Sequence, residues 1–369
     1  MNMKLISLVL TSVALSVVAQ AAPFLAIGDG AELFATGAVG IRADDNIFLS
    51  NNAVSDVIFD ITPGAQLTFG KDGQVKGALT LVDTFSNYSR NSALNTDLFS
   101  GDFAAGYSDG KVKVDLSTGY HELNQNAVDI HGLTRRNVSN ILTKGEVEVS
   151  QITSVEGGFS LTHTSYKRAG YGNSDDYTVP VNFYYKWTPK VDLSAGYQYR
   201  FYQIQKGIGQ DSTDNYFNVG ARGEFTPKLN GEFTVGLTQR NFKHLPDETM
   251  LGLNANLTYA FSEKTSLQLG ASSAPDTAPQ GQQEKNLSLN TSVTTNISDQ
   301  WKVSAGVSWR AIDYLTRTDH YVEGNLAATY IINTYVSLVG AYAYRKNSSV
   351  LGGSEFTNNV FSFAANVRY

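Results

Sequence analysis

The closing stretch of the chain, Asn358 to Tyr369, alternates between two sets of side chains. From residue 361 onward the apolar set consists of Phe361, Phe363, Ala365, Val367 and Tyr369. The intervening set consists of Ser362, Ala364, Asn366 and Arg368. A period of two residues is the geometry of a β-strand with one apolar and one polar face. Such a strand fits either a soluble sheet or a wall that separates lipid from a wet lumen.

The same alternation recurs along the chain between short polar turns. Clear examples are residues 112–121, 179–187, 191–201, 251–261 and 303–310. Tight turns are predicted at residues 71–73, 108–110, 151–153, 188–190, 226–228, 262–264, 298–300 and 333–334. Longer connections are expected near residues 43–56, 87–95, 122–134, 168–175, 204–213, 243–248, 273–284, 315–320 and 347–355. Eight internal hairpins and two terminal strands predict eighteen strands, with sixteen as the alternative.

Residues 1–21 have the features of a secretory signal peptide that is removed from the mature protein. Lys4 supplies the positive region, residues 5–18 the apolar region, and Ala19-Gln20-Ala21 the cleavage site. No later apolar run reaches the roughly 20 residues of a spanning helix, so a membrane-spanning form has to be a barrel. Without any linker or change of pattern, residues 22–369 are predicted to form a single domain.

Composition narrows the function classes. The chain has no Cys, which argues against a disulfide-stapled secreted fold, and its net charge of −6 is spread without a basic patch, so nucleic acid is not an expected partner. Aromatic residues form two bands. The band beside the short turns contains Phe69, Tyr107, Trp187, Phe225, Phe261, Trp301 and Tyr335. The band towards the longer connections contains Tyr120, Tyr166, Phe201, Phe242, Trp309 and Tyr344.

Two aromatic bands at opposite strand ends are typical of membrane barrels. We therefore predict an all-β, up-and-down antiparallel transmembrane barrel in the outer membrane of a Gram-negative bacterium. The even strand number places both termini in the periplasm. A soluble β-sandwich also alternates, but it does not account for so many long strands without a domain break.

The polar phase predicts the lining of the lumen. Its charged candidates are Arg42, Lys113, Asp115, Lys144, Glu146, Lys186, Arg200, Arg222, Glu224, Glu232, Arg240, Lys302, Arg310 and Arg368. Charged rings tune ion selectivity, whereas Arg222 with Glu224, or Arg240 with Glu232, could instead be cross-strand pairs. The faces of Tyr184 and Tyr202 are candidates for contact with sugar rings.

The amino-terminal hairpin carries an Asp-Asn-Ile-Phe sequence at residues 45–48, a Ser-Asp pair at residues 55–56 and the Pro63-Gly64 pair after an apolar run. This segment resembles the first hairpin of the putative β-barrel porin 2 family. The resemblance implies an outer-membrane barrel, and members of that family often belong to exopolysaccharide or capsule export systems. Asp44, Asp45 and Asn46 could hold Ca²⁺, but an Asx-type turn is the favoured interpretation.

The terminal strand resembles the assembly signal of bacterial outer-membrane barrels, with Phe361, Phe363 and Tyr369 as its aromatic positions. We expect it to pair with residues 33–47 to close the cylinder. Lipid, lipopolysaccharide and the barrel-assembly machinery are then the expected partners, together with a polysaccharide-export apparatus if the cargo is a polymer.

The sequence offers no enzyme signature. The His residues form no metal-binding spacing, and no nucleophile elbow or nucleotide loop is present. No metal or cofactor is expected. The favoured function is a conduit for export of an extracellular or capsular polysaccharide, and the alternative is a diffusion porin for small hydrophilic solutes. A barrel enzyme, using loop residues such as His121, His244 and Asp247, or a surface adhesin is disfavoured. No connection is long enough to be an obvious plug, which is compatible with a wide lumen, and the sequence leaves an open and a constricted lumen as alternatives.

Overall fold

The computed structural model describes residues 22–369 except 29, 128–131, 207–208, 244, 315–316 and 351–353. The predicted signal peptide, residues 1–21, lies outside the described residues. Within the described ranges, no helical segment has the length and apolarity needed to cross a membrane. The regular structure is almost entirely strand, with one short 3-10 turn at Ser92–Leu94.

The strands, in chain order, are β1 Leu25–Ile27, β2 Ala31–Asp44, β3 Asp56–Phe69, β4 Val75–Tyr88, β5 Thr96–Ser108, β6 Val112–Ala127, β7 Gly132–Ser150, β8 Thr153–Tyr166, β9 Asn173–Thr188, β10 Val191–Lys206, β11 Ser212–Thr226, β12 Leu229–Phe242, β13 Glu248–Ala260, β14 Thr265–Thr277, β15 Gln283–Asn296, β16 Trp301–Tyr314, β17 Thr318–Ile331, β18 Val336–Ser349 and β19 Phe356–Arg368.

The strands form one antiparallel sheet in which each barrel strand pairs with its neighbours in sequence. The last strand, β19, pairs with β2 from Val360 opposite Asp44 to Arg368 opposite Thr36. In the part of the chain that the structure describes, β2 to β19 therefore close a ring of eighteen strands, as predicted. Closure pairs each described barrel strand with two neighbours, although β13 and β14 pair over only part of their length. The short β1 pairs with the start of β2, outside the ring.

Exposure follows the predicted alternation. Phe361 is 61% exposed and Phe363 51%, whereas Asn358 on the opposite face is fully buried. On the other strands the outward phase is likewise exposed and apolar, as Val219 on β11 and Leu326 on β17 illustrate. An apolar outside and a polar inside are what a barrel in lipid requires.

All eight predicted tight turns lie between the strands where they were expected, at the turn end of the barrel. The connections at the opposite end, the loop end, differ in extent. Residues 122–134 were expected to be a loop, but β6 continues to Ala127 and β7 starts at Gly132. Residues 273–284 were also expected to be a loop, yet β14 reaches Thr277 and β15 begins at Gln283. Polar side chains at these positions are compatible with strands because the strands extend beyond the apolar band.

Proline accounts for gaps in the hydrogen-bond ladder. The register between β3 and β4 omits Pro63, and that between β8 and β9 omits Pro180. Proline has no backbone N–H to give to a ladder. Gly64 follows Pro63 at a crowded point, where an added Cβ would lie 2.6 Å from Val82 Cγ1 and 2.8 Å from the Leu81 carbonyl oxygen. The Pro-Gly pair of the first hairpin thus has a structural role in the barrel wall.

Candidate functional site

The wall of the barrel is split between β13 and β14 at the loop end. The two strands pair only from Leu253 opposite Ser273 to Ala260 opposite Ser266. Above this point β13 remains paired with β12, and β14 remains paired with β15 up to Thr277 opposite Gln283. Residues 274–283, called here the hairpin tip, have therefore separated from β13.

The separation of the two strands is accompanied by side-chain contacts. The Ser273 hydroxyl donates to the Leu251 carbonyl oxygen at 3.0 Å, just where the ladder stops. Lys285 Nζ on β15 lies 3.2 Å from Glu248 Oε2 on β13. Pro275 lies on the side of the hairpin that has lost its β13 partner, and an edge strand is where proline is tolerated in a sheet.

The hairpin tip lies across the loop-end mouth of the lumen. The Gly172 N–H, in the β8–β9 connection, donates to the Pro279 carbonyl oxygen at 2.8 Å. The preceding residue, Ala278, is buried in an apolar cluster with members on β16, β17 and β19 and in the β2–β3 connection. The members of this cluster are Leu49, Ala278, Ile312, Tyr314, Tyr321 and Phe356. Pro279 thus contacts the connection between β8 and β9. Its neighbour Ala278 packs in a cluster that includes residues of β17 and β19, on the other side of the ring.

Arg240 on β12 holds the tip from one side. Its Nε and Nη2 donate to Asp214 Oδ1 and Oδ2 at 2.6 and 3.0 Å. Its Nη1 donates to the Asp276 carbonyl oxygen at 2.8 Å and to Gln283 Oε1 at 3.0 Å. Arg240 is 1% exposed and Asp214 4%. A two-pronged arginine–carboxylate pair with additional acceptors is the arrangement that satisfies a buried guanidinium.

Arg200 on β10 repeats the arrangement two strands away at the same level, because Asp214 lies opposite both arginines. Its Nε and Nη2 donate to Asp176 Oδ1 and Oδ2 at 2.9 and 2.8 Å. Its Nη1 donates to the Pro275 carbonyl oxygen at 2.8 Å, and its Nη2 reaches Asp276 Oδ1 at 3.3 Å. Asp214 also accepts from Arg200 Nη1 at 3.4 Å, which joins the two arginines into one network.

A second charged network lies on the inner wall nearer the turn end. Arg222 on β11 donates to both carboxylate oxygens of Glu146 on β7, one of them at 3.0 Å, and to Asp192 at 3.2 Å. Its guanidinium carbon lies 3.4 Å from the ring centroid of Tyr184, and Glu156 is 3.5 Å away. The side chain thus links strands that are not neighbours, instead of pairing with Glu224.

The other predicted lumenal residues lie on the inward phase of their strands. Arg42 pairs with Asp60 at 2.7 Å, Lys144 with Glu156 at 2.8 Å, and Arg368 donates to Gln66 at 2.9 Å. Glu224 pairs with Lys190 at 2.5 Å. The remaining inward residues are Lys113, Asp115, Lys186, Glu232, Lys302 and Arg310. These charged residues and their partners make this part of the inner wall polar.

The aromatic faces proposed for sugar contact are covered in this conformation. Tyr184 is buried beneath Arg222, and Tyr202 is buried with Arg200 5.7 Å from its ring centroid. Both rings would become accessible only if the neighbouring arginines moved.

Asp44, Asp45 and Asn46 join the first connection to the terminal strand. Asp44 Oδ1 accepts from the Asn46 N–H at 2.8 Å, which is the Asx-type turn that was favoured, and from Asn358 Nδ2 at 2.6 Å. Asp45 accepts from the N–H and the side-chain amide of Asn359, both at 2.7 Å. The described residues contain no group of three or more His, Cys, Asp or Glu placed to bind a metal.

The histidines are dispersed. His121 faces the lumen 3.2 Å from Asp102, and His163 lies on the outer wall 2.6 Å from Asp175. His244, which was considered for a rim site, lies outside the described residues.

The sequence did not predict the tip as part of the site. Asp176, Asp214, Asp276 and Gln283 were not singled out. A connection can close a barrel without being long if its strands continue inward. The available signal was Pro275, placed within an otherwise strand-like segment.

Residues 202–369 match the model of a protein family described as putative beta-barrel porin 2. Over these residues the chain is similar to that porin family. The match confirms the resemblance predicted from the first hairpin, although that hairpin precedes the matched residues. None of the curated proteins matches the chain.

Solved structures of outer-membrane barrels share the fold. The FrpB iron transporter from Neisseria meningitidis (F5-1 variant) is 12% identical with a TM-score of 0.50, and the match covers 85% of this chain and 63% of the transporter. OccK1 (OpdK) of Pseudomonas aeruginosa is 7% identical, with 92% and 99% covered and a TM-score of 0.49. OpdL of the same organism is 13% identical, with 93% and 99% covered and a TM-score of 0.48. The chain thus spans less than two thirds of the FrpB transporter, and the likeness concerns the fold alone.

Proposed function

We propose that the protein is an outer-membrane channel for hydrophilic cargo, closed at its loop end by the hairpin tip. The observation that carries this proposal is the division of the closed barrel into an apolar outer face and a charged inner face. Any membrane barrel needs an apolar outer face, whether or not it conducts. The charged side chains along the inside are what a water-filled path requires.

The outer wall supports a location in lipid. Large apolar side chains such as Val219 and Leu326 are exposed on it, and they would be costly in water over so large an area. The proposed orientation in the membrane has the short turns and both termini facing the periplasm, and the longer connections facing the outside of the cell. The aromatic terminal strand is proposed to be read by the barrel-assembly machinery, with lipid and lipopolysaccharide around the wall.

The cargo that we propose is an extracellular polysaccharide moving outward. Similarity to the porin family supports this choice, because members of that family are often associated with polymer export. The inner wall also supplies hydroxyl, amide and charged groups for a sugar chain. Passage of a polymer requires that the hairpin tip leave the mouth. Small hydrophilic solutes are the alternative cargo, because they need only a partial displacement of the tip.

The channel can be tested in planar lipid bilayers with the purified protein and with an Asp276→Ala variant, which weakens the attachment of the tip to Arg200. Heat-modifiable migration on a gel verifies that each protein contains a folded barrel. Discrete current steps are expected, more often in the variant. If neither protein raised the current above that of a protein-free bilayer, the channel function would be refuted.

Cargo can be tested in cells by deleting the gene and measuring cell-surface polysaccharide and the uptake of small sugars. Loss of surface polysaccharide, restored by the wild-type gene, is expected. Unchanged polymer with slower uptake would instead support the small-solute channel.

A further inference from the structure

Arg200 and Arg240 each divide their donors between the barrel wall and the hairpin tip. Towards the wall, each guanidinium holds one carboxylate through two nitrogens, Asp176 and Asp214 respectively. These pairs belong to β9 to β12, which form a continuous ladder, so they remain if the tip moves.

The donors that face the tip bind oxygen atoms of the tip, and those of Arg200 also contact wall carboxylates, Nη1 that of Asp214 at 3.4 Å and Nη2 that of Asp176 at 2.8 Å. The tip oxygens are the carbonyl oxygens of Pro275 and Asp276, one carboxylate oxygen of Asp276 and the amide oxygen of Gln283. Departure of the tip would leave both guanidinium groups directed into the lumen without these acceptors. Buried or half-buried donors without partners are costly, so cargo oxygens are their natural replacement.

We propose that Arg200 and Arg240 form a binding site for the carboxylate of an acidic sugar, and that Asp276 occupies this site while the tip is docked. The inference rests on the channel function proposed above and specifies its cargo. With the tip docked, two arginines face three aspartates at the site, namely Asp176, Asp214 and Asp276. Removal of the tip takes away the Asp276 carboxylate and leaves two arginines with two aspartates. The carboxylate of a uronate-type sugar would then replace the negative charge that Asp276 contributes in the docked state.

The rest of the site suits a sugar better than a simple anion. Two of the oxygens that the tip presents are backbone carbonyls and one is an amide, so most acceptors to be replaced are neutral, as hydroxyl and ring oxygens of a sugar are.

The split between β13 and β14 gives the tip a way to leave. No ladder hydrogen bonds to β13 have to break above Ser273, since the described register stops there. The interactions that hold the tip include those to Arg200 and Arg240, the Gly172–Pro279 bond and the packing of Ala278. Cargo that takes over the two arginines removes the charged part of this set, which couples cargo binding to opening.

The test uses the full-length channel in planar bilayers, with trigalacturonate and maltotriose as probes at equal concentration. In the Asp276→Ala channel we expect trigalacturonate to block the current about tenfold more often than maltotriose, because one charge-assisted guanidinium contact is worth at least ~1.4 kcal/mol. Adding Arg200→Gln, which removes the guanidinium that binds the Asp276 carboxylate, should abolish this preference, and adding Arg240→Gln should reduce it. Arg240→Lys, which keeps the charge but loses the two-pronged geometry, should leave an intermediate preference.

Lys264→Gln, in the short turn between β13 and β14, is the matched control and should leave the preference unchanged. Heat-modifiable migration establishes that each variant has a folded barrel before it is recorded. Equal block by the two probes, or an undiminished preference in the Arg200→Gln or Arg240→Gln channel, would overturn the site while leaving the channel intact. Absence of current in every variant would remove both proposals.

Discussion

Replacing Asp276 by alanine should release the hairpin tip while leaving the barrel wall intact. The carboxylate of Asp276 accepts from Arg200 Nη2 at 3.3 Å and from the Thr277 N–H at 2.9 Å. Alanine removes both contacts but keeps the main-chain carbonyl that binds Arg240. Arg200 retains Asp176, so the substitution does not leave it unpaired in the wall.

The magnitude follows from these contacts. A hydrogen bond between charged groups contributes about 1.5–3 kcal/mol, and its 3.3 Å length places this one towards the lower end. With the loss of the local bond to Thr277, the docked tip should be destabilised by about 2 kcal/mol relative to the released tip. This corresponds to a rise of roughly 30-fold in the ratio of open to closed channels.

The assay is single-channel recording at fixed voltage and salt. Asp299→Ala provides the control, because it removes the same charge from an exposed position in the short turn between β15 and β16. We expect the open fraction to rise in the Asp276→Ala channel and to stay at the wild-type value in the control. An open fraction that is unchanged or lower in the Asp276→Ala channel would refute the assigned role of the tip.

Three further predictions concern the wall and the turn-end network. Leu326→Arg, at a 51% exposed outward position near the middle of β17, should lower barrel stability in lipid vesicles by about 2–4 kcal/mol in urea titrations, whereas Asn325→Arg on the inner face should have a much smaller effect. Arg222→Gln leaves Glu146, Glu156 and Asp192 without their shared cation, so the reversal potential in a KCl gradient should shift towards cation selectivity; an unchanged potential would mean that ions do not pass this network. Asn358→Ala removes the buried amide that donates to Asp44, which should cost about 1–3 kcal/mol and lower the temperature at which the folded gel band disappears.

The fold was largely predictable because period-two alternation and regular turns are local signals. The terminal strand shows this well: its apolar phase is exposed, and it pairs with β2 as expected. Strand ends were less predictable. β6 and β14 continue past the apolar band, where polar side chains resemble those of a loop.

The site was only partly predictable because it depends on contacts between distant strands. Arg200 and Arg240 were expected in the lumen from their phase alone. Their partnership with Asp276 depends on the inward course of β14, which is set by the absence of β13 pairing above Ser273. Arg222 similarly binds Glu146 across intervening strands, whereas sequence proximity had suggested Glu224.

The predicted turn at Asp44, Asp45 and Asn46 was confirmed, because it depends on local contacts and not on contacts between distant strands. An Asx-type turn depends on residues that are adjacent in sequence, so its residue types identify it directly. The additional bonds to Asn358 and Asn359 follow from closure of the ring at this point.

Locking the hairpin tip with a disulfide tests the central claim most directly. The chain contains no Cys, so Gly172→Cys with Pro279→Cys introduces the sole pair. The Gly172 N–H donates to the Pro279 carbonyl oxygen at 2.8 Å, so the two residues are in direct contact, as a disulfide with its Cα separation of roughly 4.4–6.8 Å requires. We predict that the oxidised channel stays closed and that reduction restores wild-type current steps, with each single-cysteine variant insensitive to reductant. Equal currents before and after reduction, with the disulfide verified by mass spectrometry, would contradict closure of the lumen by the tip.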